Sequence, residues 1–287
     1  MKYVALLTIS LYFLYQGNGQ EKTYPPVKFP DHYTPQIDVI YTEVDGWKGR
    51  MDLYTNPSAT NPTPVVINIH GGGWNHGEKE SQTGFSTFFK NGYAVANVEY
   101  RLVDVAPAPA AIQDVRCALI YLLKNAKALN IDTNKIVVSG GSAGGHLALM
   151  LGLLGNDNRF DTNCPNEETI KIAAIINKYG VTDLVPLAYW RSAKNWLALK
   201  NFDTDFVKTV SPINYISEKS PPVFIAHGDS DPIVPYEQSV ILYKKLKANY
   251  VKTEFLTIKG GKHGNFTKKQ NRLLSKRIWA FLNNLNL

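Results

Sequence analysis

The chain has 287 residues, 44% of them apolar, and 31 basic against 24 acidic side chains leave a net charge of +7. This composition excludes a disordered or low-complexity protein, since the apolar fraction is enough for a well-formed core. The lysines are scattered, with the densest run from Lys259 to Arg277. No nucleic-acid-binding motif accompanies them, so the charge reads as a solvated basic surface.

Lys2 precedes an apolar run from Val4 to Tyr15, too short to span a bilayer comfortably. Gly17-Asn18-Gly19 then offers a small-x-small cleavage site. Residues 1–19 therefore read as a signal peptide. The mature chain is expected to begin near Gln20 or Glu21 and to be periplasmic or extracellular, without stable membrane association. The competing reading is an uncleaved anchor. No cysteine follows the run, which argues against a lipoprotein. Residues 20–35 read as an N-terminal extension, and residues 36–287 as one domain.

Ile37 to Tyr41 and Arg50 to Tyr54 flank Asp45-Gly46, the pattern of a hairpin. Further strands are predicted at Val65 to Ile69, Tyr93 to Val98, Ile136 to Ser139, Ile172 to Asn177, Val223 to His227 and Thr253 to Ile258. Several are almost continuously apolar, as in parallel strands covered on both faces. Helices are predicted at Ser81 to Asn91, Ala110 to Leu129, Ala143 to Leu154, Tyr236 to Lys247 and Phe266 to Leu285. Strands alternating with helices imply an α/β fold with a mostly parallel sheet and helices on both faces. Ligands in such sheets bind at the carboxyl ends of the strands.

Two parts of the chain leave alternatives open. Cys117 and Cys164 can pair in an exported protein, but spacing alone does not bring them together. The stretch from Leu184 to Ser211, with Trp190 and Trp196, fits the alternation poorly. It reads either as a lid or substrate wall or as a segment whose tryptophans pack into the core.

Two short phrases carry the chemistry. Gly140-Gly141-Ser142-Ala143-Gly144-Gly145 contains Gly-x-Ser-x-Gly between a predicted strand and a predicted helix, the context of a nucleophile elbow. His70-Gly71-Gly72-Gly73-Trp74 follows another strand and matches a loop that supplies oxyanion-hole N–H groups. Gly72, Gly73 and Ala143 are the candidate donors. His70 reads as a brace for the loop, and Trp74 either packs beneath it or lines a substrate pocket.

A serine nucleophile needs a base, and the base needs an orienting acid. In this fold the chain order is Ser, acid, His. His227-Gly228-Asp229-Ser230-Asp231-Pro232 follows one predicted strand, and Lys262-His263-Gly264 follows the last. His263 is the candidate base. Asp231 and Asp229 compete as the acid, since an aspartate here also serves as a turn residue. Asp183, after another strand, is an outside candidate.

With these motifs in place, the chain resembles the hormone-sensitive-lipase-like branch of the α/β-hydrolase superfamily. More narrowly, it is similar to bacterial carbohydrate and feruloyl esterases. The matching pieces also include Tyr100-Arg101-Leu102 and Tyr179-Gly180-Val181-Thr182-Asp183, and the likeness spans roughly residues 36 to 285. It implies an α/β-hydrolase fold with an eight-stranded, mostly parallel sheet. It also implies a Ser142–Asp231–His263 triad, which favours Asp231 over Asp229, and a carboxylesterase-type serine hydrolase. Expected substrates are small esters or acylated carbohydrates, including acetyl or feruloyl groups on plant polysaccharide. No cofactor or metal is expected. Lipase-like relatives carry an N-terminal helical cap, and only a few dozen residues precede the hairpin here, so no large cap domain is expected. Amide hydrolysis of the arylformamidase or peptidase kind is the alternative, and a hydrolase fold kept only for binding is a remote one.

Overall fold

Asp45 and Gly46 both take positive φ, 50° and 82°. They close a two-residue turn between β1 (Thr34–Val44) and β2 (Trp47–Thr55), antiparallel with Val44 opposite Trp47. Asp-Gly supplies this geometry because its left-handed backbone matches the twist of the strands. The computed structural model describes residues 23–287, so the expected signal segment at 1–19 lies outside the described residues. The described part of the extension docks on the sheet. The Tyr33 hydroxyl donates to the Tyr93 carbonyl at 3.0 Å, and Phe29 packs on Tyr54.

After the hairpin come β3 (Thr63–Ile69), α1 (Ser86–Lys90), β4 (Ala94–Val98), α2 (Ala110–Lys124), α3 (Ala126–Leu129), β5 (Ile131–Gly141) and α4 (Ala143–Leu154). The chain continues through β6 (Ile172–Lys178), α5 (Arg191–Leu197), α6 (Thr204–Thr209), β7 (Val223–Gly228), α7 (Glu237–Ala248), β8 (Thr253–Ile258) and α8 (Lys268–Asn283). The strands form one eight-stranded sheet in the order β1-β2-β4-β3-β5-β6-β7-β8. The β1–β2 and β2–β4 pairs are antiparallel and the remaining pairs are parallel. This is the α/β-hydrolase fold, with no large cap domain among the described residues.

Side chains alternate across the sheet as the pleat requires. Val65, Ile67, Ile136, Val138, Ile175 and Ile225 face one core with α2, α4 and α7. Val66, Val137, Ile176 and Phe224 face the other with α1 and α8. All of α4 is buried, and no helix among the described residues is long and apolar enough to cross a membrane.

Three predicted helices differ in extent. The one expected at Ser81 to Asn91 contracts to Ser86–Lys90, because Gly84 and the short turn around the buried Lys79 occupy its start. The one expected at Ala110 to Leu129 breaks at Asn125, whose side-chain amide donates to the Tyr121 carbonyl at 2.8 Å. The C-terminal helix spans only Lys268–Asn283, because a capping box between Thr267 and Gln270 fixes its start.

Cys117 on α2 and Cys164 form a disulfide, with Cα atoms 5.4 Å apart. It ties α2 to the loop that follows α4, on the side of the sheet that holds the elbow.

Candidate active site

β5 runs out of the sheet at Gly141 and α4 begins at Ala143. Between them Ser142 adopts φ 57° and ψ −125°, a left-handed turn that few non-glycine residues tolerate. The elbow works only because its neighbours lack side chains. A Cβ on Gly144 would stand 2.2 Å from the Ile69 carbonyl oxygen, so β3 and α4 approach closely enough to push the serine outward.

The Ser142 hydroxyl donates to Nε2 of His263 at 2.8 Å. The Nδ1–H of His263 donates to Oδ2 of Asp231 at 2.7 Å, which fixes the tautomer that leaves Nε2 free to accept. Asp231 accepts three further hydrogen bonds. Its Oδ1 receives the backbone N–H groups of Ile233 and Val234 at 2.8 and 3.0 Å, and its Oδ2 also receives Nε2–H of His227 at 3.1 Å. Burial alone would raise the Asp231 carboxyl, but the hydrogen bonds from His227, His263 and the two backbone amides outweigh it. The net effect holds the acid well below the usual carboxylate range.

The other acidic candidates stand elsewhere. Asp229 accepts the Gly260 N–H at 2.6 Å, as a turn residue. Asp183 accepts the Val185 N–H at 3.0 Å, as a local turn residue. Neither makes a hydrogen bond to His263.

The loop after β3 lies against the elbow. A Cβ on Gly71 would sit 2.8 Å from the Gly141 carbonyl oxygen and 3.4 Å from Ser142 Cβ. Gly72 has φ +122°, and a Cβ there would fall 1.8 Å from the His76 carbonyl oxygen. The N–H groups of Gly72, Gly73 and Ala143 donate to no acceptor among the described residues. All three residues line the cavity above Ser142. Amides left free beside a nucleophile suit a developing oxyanion.

His70 braces this loop. Its ring stacks on Tyr100 with centroids 4.3 Å apart, and its Nδ1 is 2.7 Å from the Gly71 carbonyl oxygen. Burial pushes its pKa down to about 4, so it is neutral at physiological pH. Trp74 borders the cavity but is only 2% exposed. Its indole stacks on Trp196 at 4.7 Å and meets His146 edge-on at 5.1 Å. Trp74 thus packs beneath the loop against Trp196 and His146 while it also borders the cavity.

The segment from Leu184 to Ser211 does both things foreseen for it. Trp196 is fully buried, and His146 ties the segment down by donating from Nε2 to the Val210 carbonyl at 2.8 Å. Trp190, by contrast, is 48% exposed and lines the cavity with Leu187, Arg191 and Ser192. Of the two tryptophans in this segment, Trp190 lines the cavity and Trp196 packs in the core.

The cavity measures about 720 Å³, in the range of small-molecule sites. Ser142, His263, Lys178, Tyr179, Ile233 and Trp190 are among its walls. The Tyr179 ring meets His263 edge-on at 4.8 Å. Its phenol is pushed up to about 12, by burial first and by the Asp231 charge second. Sequence reading did not single out His227, Lys178, Tyr179 as site residues. Their signal was positional: Lys178 ends β6, Tyr179 follows it directly and His227 is the penultimate residue of β7, all at the strand ends where ligands bind. Among the described residues no cluster of three or more His, Cys, Asp or Glu is arranged to hold a metal ion.

Similarity to known proteins agrees with this geometry. The chain is 30% identical over 241 residues to the probable carboxylic ester hydrolase LipM of Mycobacterium tuberculosis, covering 78% of this chain and 55% of that protein. It is 28% identical over 233 residues to the esterase LipC of the same organism, covering 77% and 56% respectively. The chain thus spans about half the length of these curated relatives. Among solved structures, it is similar to an acetyl ester-xyloside bifunctional hydrolase from Caldicellulosiruptor lactoaceticus. That likeness has a TM-score of 0.71 and 28% identity, over 82% of this chain and 89% of that one. The BD-FAE family model matches residues 51–246, which hold the elbow, the glycine loop and Asp231, and on that match the chain belongs to the BD-FAE family.

Proposed function

We propose that the protein is a serine carboxylic-ester hydrolase acting on short acyl or aromatic esters, including acetyl or feruloyl groups on plant polysaccharide. The observation that carries this reading is the continuous relay from Ser142 through His263 to Asp231, at 2.8 and 2.7 Å, beside three unengaged amides. The esterase names of the relatives and the acetyl-ester hydrolase among the structural neighbours support it.

In the first half-reaction Ser142 Oγ attacks the ester carbonyl carbon while His263 Nε2 takes the hydroxyl proton. The carbonyl oxygen becomes an oxyanion, held by the N–H groups of Gly72, Gly73 and Ala143. Asp231 stays ionised and stabilises the imidazolium. The tetrahedral adduct collapses, the carbon–oxygen bond to the alcohol breaks, and His263 gives its proton to the departing oxygen. In the second half, water attacks the acyl-Ser142 carbonyl and gives a proton to His263. Collapse releases the carboxylic acid, and His263 returns the proton to Ser142.

Residues 36–287 are the catalytic unit in this reading, and residues 1–19 a signal peptide that directs export. The Cys117–Cys164 disulfide supports an oxidising compartment. Hydrolysis of p-nitrophenyl acetate by the purified protein tests the activity. Ser142→Ala is expected to lose it by several orders of magnitude, and undiminished turnover in that variant would refute the assignment. Acetylated xylan and methyl ferulate then separate the two polysaccharide acyl groups.

A further inference from the structure

The titratable residues lining the active-site cavity are His76, Lys178, Tyr179, Arg191 and His263. Among the described residues that line it there is no aspartate or glutamate. The acid nearest the chemistry, Asp231, is fully buried behind His263, and its oxygens are engaged by two histidines and two backbone amides.

Lys178 is the last residue of β6, and its carbonyl receives the Ser142 N–H at 3.0 Å. Its side chain sits deep in the protein yet keeps part of its surface open. It makes no hydrogen bond or ion pair with any described residue. Burial lowers its pKa below the ordinary lysine value, and no neighbouring carboxylate acts in the other direction. A buried ammonium without a partner is costly, and elsewhere this protein avoids that cost. Lys79, whose side chain is almost fully buried, is met by Asp38 and Asp52 at 2.9 Å each. Arg191, on the outer wall beside Trp190, is exposed and also makes no ion pair among the described residues. The net charge of +7 adds a long-range field of the same sign.

We propose that the cavity selects esters whose substrate carries a carboxylate, with Lys178 as its inner cationic contact and Arg191 as the outer one. The natural class that joins such a group to an acyl ester on sugar is an acylated saccharide containing a uronic acid. The inference rests on the proposed reading of this cavity as an ester site and names what that site prefers.

Matched esters test it. 4-Acetoxybenzoate and its methyl ester differ in a carboxylate on the alcohol side, and the monosuccinyl and propionyl esters of one phenol differ on the acyl side. The expected result is a higher kcat/KM for the anionic member of one pair, with an advantage that shrinks as salt is added. In Lys178→Met the anionic-to-neutral ratio falls by about tenfold or more, the scale of one charge-assisted hydrogen bond. Lys178→Arg keeps most of it, and Arg191→Gln lowers it less. The pair that responds identifies the side of the ester that bears the charge. Binding is read separately by calorimetry in Ser142→Ala, where 4-acetoxybenzoate or the succinyl ester should bind more tightly than its neutral partner. An anionic-to-neutral ratio for both pairs that is the same in Lys178→Met as in the parent, by turnover and by binding, overturns the inference. Loss of all ester turnover with the binding preference intact would instead sink the proposed hydrolysis and leave the carboxylate site standing.

Discussion

His227 and His263 donate to the same oxygen of Asp231, at 3.1 and 2.7 Å. The second contact orients the base, and the first holds the acid. His227 is fully buried, and its other ring nitrogen accepts from the Ser239 hydroxyl at 2.7 Å. A chain of hydrogen bonds thus runs from α7 through β7 to the triad.

The pH dependence follows from that arrangement. Asp231 is held below its ordinary 3.8, so its ionised form stabilises the fold above about pH 4, and that contribution is lost as the pH falls towards the depressed value. Asp231→Asn should therefore cost most stability at pH 7 and progressively less below about pH 4, as measured by urea unfolding across that range. His227→Ala should move the loss to higher pH and lower kcat by about 10- to 100-fold, the scale of a hydrogen bond to a charged group. His227→Gln, which keeps a donor, should recover part of both.

The oxyanion loop gives a second outcome. Because Gly72 needs φ +122° and has no room for a Cβ, Gly72→Ala should displace its amide and lower kcat by roughly 10² to 10³. Thermal unfolding measured beside the kinetics distinguishes this from general loss of the fold.

The motifs of the elbow and the glycine loop were legible because each is a local backbone requirement written in residue type. Gly-x-Ser-x-Gly at a strand end permits little besides the turn seen at Ser142, and Asp45-Gly46 little besides a tight hairpin. What was not legible depends on which side chains meet across the fold. Nothing local marks His227 as a partner of Asp231, or Lys178 as a wall of the cavity. The pairing of Cys117 with Cys164, 47 positions apart, arises only when α2 and the loop after α4 are packed on the same face.

Trp190 and Trp196 illustrate the same division and separate in experiment. Trp196→Ala empties a fully buried site and should cost about 3–5 kcal/mol of stability, read by chemical denaturation. Trp190→Ala removes an exposed cavity wall, so stability should change by only about 0.5 kcal/mol while KM for aromatic esters rises.

The disulfide encloses the elbow within its loop. Replacing both Cys117 and Cys164 with alanine should lower stability by about 3–5 kcal/mol if the unfolded chain is freed as loop-closure entropy predicts. Denaturation of the parent with and without reductant provides the matching measurement.

The most direct test of the account is covalent. A fluorophosphonate probe added to the folded protein should form one adduct, mapped by mass spectrometry to the peptide containing Ser142, absent in Ser142→Ala and much slower in His263→Ala. An unlabelled folded protein, or an adduct on another residue, would contradict the assignment of Ser142 as the nucleophile.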